Sequence, residues 1–268
     1  MAFLPQRLLF WSAYDGVPFD ASSIDPSAQA SPSFQIHAAT HRDRQSLYAA
    51  HLALDEHSKE KLGPAQRVLE HQLDSEASWV ETAVYPDTDG TYSVFVNEVD
   101  AAGQPVLRQY KYTPDGNTST AMVGCWPLFS RSAEWRVFPV DNSNIYYIFW
   151  TGPRRQDDWG THSLFWSRSD TPWVPHVLAG DRHFKSGNPV AVLRSTDHGT
   201  AWGLVAWRDG TSGVALCRLL DGKFSAPVSL PIGTTSDVAL ALNQDRNGVL
   251  FVATRHELRA LPFRAECK

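Results

Sequence analysis

The sequence predicts an all-β protein built from repeated groups of about four short strands. Runs rich in aromatic and β-branched residues recur about every fifty residues, and a shorter apolar run precedes each by about ten residues. Turn-forming residues separate the runs. This repetition is typical of a β-propeller, in which each group forms one blade around a common axis. The recurring runs are 46–54, 91–99, 144–150, 201–207 and 249–254.

The second group shows the expected blade most completely. Strands are predicted at 79–85, 91–99, 106–112 and 118–123, with Gly- and Asp-containing turns between them. The same order recurs from 135 and again from 190. The first group is less regular, because the charged segment before a predicted strand at 67–73 could form a short helix or a solvated loop.

The last group has three recognisable strands before the sequence ends. We expect the apolar N-terminal run 7–14 to pair with these C-terminal strands and close a ring, which removes exposed strand edges. Counting blades from about residues 34, 79, 135, 190 and 238 gives a five-bladed propeller as a single domain over 1–268. Six blades, a β-sandwich and a β-barrel are the alternatives.

Composition limits the functional classes. The 268 residues are 43% hydrophobic with a formal net charge of −5, so a large core is expected and nucleic acid or an anionic membrane surface is not an expected partner. The N-terminus has no apolar segment typical of an export signal, which predicts a soluble cytoplasmic protein. The three cysteines lack the spacing of a disulfide or zinc site, and we expect no cofactor or metal.

The predicted inner strands begin with different polar residues that could meet in one central pocket. Paired carboxylates and a cation there would suit a channel-centred enzyme acting on a glycoside or secondary metabolite, as a glycosidase or as an isomerase or cyclase. Rim residues that only solvate strand ends are the structural alternative. The candidate catalytic residues are Glu81, Asp237, His37 and Arg136, and the further polar candidates for ligand binding are Gln35 and Asn188.

Ten tryptophans offer flat surfaces that suit the apolar faces of sugars. Trp135 precedes Arg136 and Trp207 precedes Arg208, so aromatic platforms stand next to hydrogen-bond donors, and Trp79 begins another inner strand. Core packing between blades is the alternative for rings such as Trp207. In aromatic richness and blade length the chain resembles fungal lectin-like propellers, and that resemblance implies binding of a saccharide or other small ligand. A protein-interaction scaffold is the third hypothesis.

Overall fold

A computed structural model describes most of the chain. The described residues are 7–14, 44–54, 60–62, 66–72, 82–113, 119–129, 133–141, 143–153, 162–171, 174–182, 189–195, 201–209, 213–232, 235–243, 247–254 and 256–264. They form strands and turns, and this part of the chain contains no helix. The all-β prediction is therefore confirmed.

The first two groups of strands form separate sheets, which we call the first and second units. In the first unit β2 lies in the centre and pairs with the other three strands, and in the second unit the strands follow chain order. The strands of the first unit are β1 (Arg7–Tyr14), β2 (Arg44–Leu54), β3 (Glu60–Leu62) and β4 (Gln66–Gln72). Those of the second are β5 (Thr82–Pro86), β6 (Tyr92–Val99), β7 (Pro105–Thr113) and β8 (Ser119–Pro127).

The next two groups, the third and fourth units, are antiparallel meanders that share one nine-stranded sheet. Their first strands pair in parallel at their ends, where Leu193 lies opposite Val140 and Arg194 opposite Asp141. The third unit contains β9 (Trp135–Asp141), β10 (Tyr146–Pro153), β11 (His162–Arg168) and β12 (His176–Arg182). The fourth contains β13 (Val190–Ser195), β14 (Ala201–Asp209), β15 (Gly213–Leu220), β16 (Lys223–Phe224) and β17 (Val228–Leu230).

The fifth unit is a three-stranded meander of β18 (Thr235–Leu242), β19 (Asn247–Thr254) and β20 (Leu258–Arg264). The pairings of the described strands join β20 to β19 and join β1 to β2 along the whole of β1. The predicted pairing of the N-terminal strand with the C-terminal strands is not among them. Closure of the ring and the count of five blades therefore remain predictions.

The hydrophobic core lies between consecutive units. Four clusters of buried side chains join the first unit to the second, the second to the third, the third to the fourth and the fourth to the fifth. Central strands are accordingly buried on both faces: β10 is buried continuously from Tyr146 to Trp150. Meanders stacked face to face in chain order, with first strands side by side, have the topology of propeller blades.

Most predicted strands agree with the structure within a few residues, including the strand in the irregular first unit. β4 (Gln66–Gln72) confirms the strand predicted at 67–73, and β3 (Glu60–Leu62) lies in the preceding segment, for which a short helix or a solvated loop was considered; residues 55–59 and 63–65 lie outside the described residues. The fourth strand of the group that begins at 190, predicted at 225–230, differs most. β17 covers only Val228–Leu230 of it, because Pro227 has no N–H to donate to β15, and the short β16 (Lys223–Phe224) lies before the predicted range.

Candidate functional site

The predicted inner-strand site falls partly outside the described residues. Gln35, His37, Trp79, Glu81 and Asn188 all lie there. Their roles in ligand binding or catalysis therefore stay predictions. The remaining candidates belong to β9, β14 and β18, and the strand register places all of them at the end of the units where the inner strands begin.

The two described tryptophan candidates pack inside the protein. Trp135 is 2% exposed in the cluster between the second and third units, and Trp207 is 1% exposed in the cluster between the third and fourth. Both indole Nε1 atoms are buried without a hydrogen-bond partner. A ring covered by protein on both faces cannot stack on a sugar, so packing, the alternative considered for Trp207, accounts for both side chains.

The charged candidates at this end are separate from one another. The Arg136 guanidinium donates to the carbonyl oxygen of Trp135 at 2.8 Å and lies near Tyr85, whose pKa is raised by burial and lowered in part by that positive charge. Asp237 is exposed, and its Oδ1 accepts a hydrogen bond from the Val238 N–H at 2.8 Å. Arg208 is partly exposed near the end of β14. These contacts join none of the three charged side chains to another, so the three candidates do not form an acid–base pair among themselves.

Polar groups do converge at the opposite end, where the inner strands finish. Arg194 on β13 forms an ion pair with Asp141 at the end of β9. Its Nη2 also donates to the carbonyl oxygen of Leu242, the last residue of β18, at 2.7 Å. One guanidinium thus connects the ends of three inner strands that are about fifty residues apart in sequence. This convergence is the arrangement expected around a common axis.

An open cavity of about 740 Å³ lies next to this connection, at the turn end of the fifth unit. It is lined by residues 241–243 of β18 and the following turn, 247–249 of β19 and 262–264 of β20. Leu242 belongs both to the lining and to the Arg194 hydrogen bond. The position of the cavity wall is therefore fixed by the same guanidinium that joins the inner strands.

The shape of the cavity depends on a close approach of side chain and backbone at Gly248. A Cβ at this position would lie 2.7 Å from the Phe263 Cε2 atom and 2.7 Å from the Ala241 carbonyl oxygen. Only a residue without a Cβ lets the Phe263 ring lie this close to β19. Pro262 and Val249 lie directly opposite each other and supply an apolar surface on the face of the sheet that carries Asn247 and Arg264, whereas the Phe263 ring packs on the other face against the fourth unit.

Two asparagines border that apolar surface. The Asn247 N–H donates to Asn243 Oδ1 at 2.9 Å, and the Asn243 N–H donates to the Asn247 carbonyl oxygen at 2.9 Å, which fixes both ends of the turn. The Asn247 side-chain amide makes no hydrogen bond with the described residues. Arg264 lies directly opposite Asn247 across β19 and β20, so both side chains point to the same face. An apolar patch bordered by amide and guanidinium donors can bind a polyhydroxy ligand.

None of the sequence-selected residues that the structure describes lines this cavity. The missed signal is that polar residues follow or finish the inner strands: Asp87 after β5, Asp141 in β9 and Asn243 after β18. Asp87 and Asn243 accept hydrogen bonds within their own hairpins, so a structural role accounts for the pattern when the sequence is considered alone. The contact of Arg194 with two other strands has no local sequence signal.

Metal binding has no support in the described residues, where no group of three or more His, Cys, Asp or Glu side chains is placed to hold an ion. In the same part of the chain no helix is long and apolar enough to cross a membrane.

No protein-family model matches the sequence, and a search of curated proteins finds no match. Solved structures with a similar fold include a Trypanosoma rangeli sialidase, at 11% identity and a TM-score of 0.43, over 96% of this chain and 42% of that one. A mutant of AofleA from Arthrobotrys oligospora has 11% identity and a TM-score of 0.45, over 83% of this chain and 66% of that one. An endo-arabinase from Bacteroides thetaiotaomicron has 12% identity and a TM-score of 0.39, over 84% of this chain and 90% of that one.

The chain thus spans less than half of the length of the sialidase.

Proposed function

We propose that the protein binds a saccharide, as a lectin-like propeller, in the cavity at the turn end of the fifth unit. The observation that carries this proposal is the composition of the cavity: an apolar surface from Val249 and Pro262, bordered by the side chains of Asn243, Asn247 and Arg264. Sugar rings present apolar C–H faces and a belt of hydroxyl groups. Such a ligand needs an apolar contact together with several fixed hydrogen-bond donors and acceptors.

The channel-centred enzyme receives less support from the described residues. Its candidate residues Arg136 and Asp237 make separate local contacts, and no carboxylate lines the described cavity. General acid–base hydrolysis of a glycoside needs two carboxyl groups on opposite sides of the scissile bond. Binding without chemistry is therefore the function that we propose.

We also propose that the five units close into a ring. The face of the fifth unit turned away from the fourth carries Ala239, Ala241, Phe251, Ala260 and Pro262, and β20 has one edge without a partner among the described strands. An apolar face and an open edge are what the first unit and β1 would cover. Ala241 and Pro262 of that face also line the sugar cavity, so in a closed ring the first unit would lie beside the cavity.

The test of saccharide binding is ligand-observed NMR with a panel of neutral and acidic monosaccharides and disaccharides. We expect at least one sugar to bind, and Asn247→Ala to weaken it at least about fivefold, since a hydrogen bond to an uncharged group contributes about 1 kcal/mol. Asn97→Ala on β6, in the second unit, is the matched control and should leave binding unchanged. Binding of no sugar in the panel, or equal binding by the wild type and Asn247→Ala, would overturn the proposal.

A further inference from the structure

Arg264 has no carboxylate partner among the described residues. Other described arginines do form ion pairs, among them Arg108 with Glu98, Arg168 with Asp170, Arg194 with Asp141 and Arg259 with Glu257. The last of these lies on the same strand as Arg264, five residues before it. Arg264 is exposed at the end of β20 and lines the cavity.

The described lining of the cavity also carries a net positive charge. Its lining contains one guanidinium, two asparagine amides and apolar groups, and none of the described lining residues is acidic. The neighbouring Arg194 is occupied, because one of its nitrogens binds Asp141 and another the Leu242 carbonyl oxygen. Among the described residues at this cavity, Arg264 therefore carries the guanidinium that is available to bind a ligand.

We propose that the saccharide bound in this cavity is acidic and that Arg264 recognises its carboxylate. This inference rests on the proposed saccharide binding and adds the chemical class of the sugar. A guanidinium presents two parallel N–H donors that match the two oxygens of a carboxylate, whereas a sugar hydroxyl uses one of them. Because Asn247 lies directly opposite Arg264, its side-chain amide can bind a ring hydroxyl of the same sugar.

The net charge of the protein makes this recognition short-ranged. The chain carries a formal charge of −5, so its overall field repels an anion and does not steer one to the cavity. Attraction must come from contact with Arg264, at an exposed position where salt screens it. We therefore expect modest affinity that falls as the salt concentration rises.

The experiment compares sugars that differ in the acidic group alone. Glucose and glucuronate form one pair and galactose and galacturonate another, and their affinities are measured by ligand-observed NMR at low salt. The wild type is compared with Arg264→Gln, which keeps a hydrogen-bond donor and removes the charge. Arg259→Gln is the matched control, since it makes the same change on the same strand outside the cavity. Circular dichroism confirms that all three proteins are folded.

We expect at least one acid to bind about fivefold or more tightly than its neutral partner. Arg264→Gln should remove this preference and leave weak binding of the neutral sugar, and Arg259→Gln should retain it. Equal affinity of acid and neutral sugar in the wild type, or a preference that survives Arg264→Gln, would overturn the inference while saccharide binding stands. Absence of binding by both pairs and by the wider panel would overturn the proposed function itself.

Discussion

The interface between the second and third units and the outer face of the fifth unit are built from similar strands but meet different surroundings. At the interface, Trp126, Trp135 and Trp150 are almost fully buried, and Trp150 stacks on Phe165 with ring centres 5.7 Å apart. On β20, by contrast, every residue is exposed or partly exposed. Aromatic residues in this fold therefore hold units together, and the described surface available to a ligand is provided by small, amide and cationic side chains at a turn.

The same difference applies to buried polar groups. Asp87, in the turn after β5, accepts hydrogen bonds from Ser93 and Thr91 of its own unit and from the Tyr146 hydroxyl of the third unit, the last at 2.5 Å. Burial and this bond to Asp87 raise the pKa of Tyr146 well above its usual value. The interface between units is thus fixed by a hydrogen bond as well as by packing, whereas the cavity retains polar groups for a ligand.

Among the substitutions that test this difference, Trp150→Ala should have the largest effect on the free energy of unfolding. Trp150 is fully buried between two units, so the substitution leaves a large cavity and should lower the free energy of unfolding by about 3–5 kcal/mol. Urea denaturation followed by tryptophan fluorescence measures it. Leu258→Ala, at a side chain that is 69% exposed, should change stability by less than about 0.5 kcal/mol. Similar losses in both variants would show that burial does not distinguish the two regions.

Tyr146→Phe should have the next largest effect. It removes the donor from a buried carboxylate that keeps other donors, and we expect a loss of about 1–3 kcal/mol in urea denaturation. The adjacent Tyr147 supplies a control, because its buried hydroxyl has no hydrogen-bond partner. Tyr147→Phe should leave stability unchanged or slightly higher. A Tyr146→Phe protein as stable as Tyr147→Phe would mean that the bond to Asp87 does not hold the units together.

Amide hydrogen exchange along β20 tests whether the free edge of this strand is paired. A strand paired on one side has every second N–H directed at its open edge, whereas a strand paired on both sides has nearly all of them bonded. Ring closure predicts slow exchange for the consecutive amides from Leu258 to Leu261 and for those of Phe263 and Arg264, measured by NMR, as expected for the central strand β19; Pro262 has no N–H. Alternating fast and slow amides along β20 would contradict closure by β1.

The effect that is smallest at neutral pH comes from the ionisation of Cys217, which is buried between the third and fourth units. Burial raises its thiol pKa to about 12 from an ordinary value near 9. Above the unfolded pKa the unfolded chain loses this proton and the folded chain keeps it, so stability declines as pH rises from about 9 to about 12. Urea denaturation of wild type and Cys217→Ala across this range should show a shallower decline in the variant. Parallel curves would exclude a contribution from this thiol.

The strands could be predicted because their information is local. Apolar runs with turn residues between them mark β6, β10, β14 and β19, and packing between neighbouring units is what those runs require. The strand predicted at 225–230 is shortened to Val228–Leu230, because Pro227 has no backbone N–H to pair with β15. The local sequence pattern therefore determines most strands, and the exception depends on one missing backbone N–H, that of Pro227.

The cavity could not be predicted, because it depends on relations between distant residues. Arg194 meets Asp141 and Leu242 only after three units have packed together. Tryptophan content was also ambiguous, since a ring that can stack on a sugar can equally fill a core, and Trp135 and Trp207 do the latter. Register along the strand, which decides between these roles, is not encoded by composition.

The most direct test of where the ligand binds is an NMR titration of isotope-labelled protein with glucuronate and glucose. Saccharide binding in the cavity predicts backbone amide shift changes confined to residues 241–243, 247–249 and 262–264, which saturate with sugar and are weakened by Asn247→Ala. Saturable changes centred instead on Arg136, Arg208 and Asp237, at the opposite ends of the inner strands, would contradict the account and return the site to the beginnings of the inner strands.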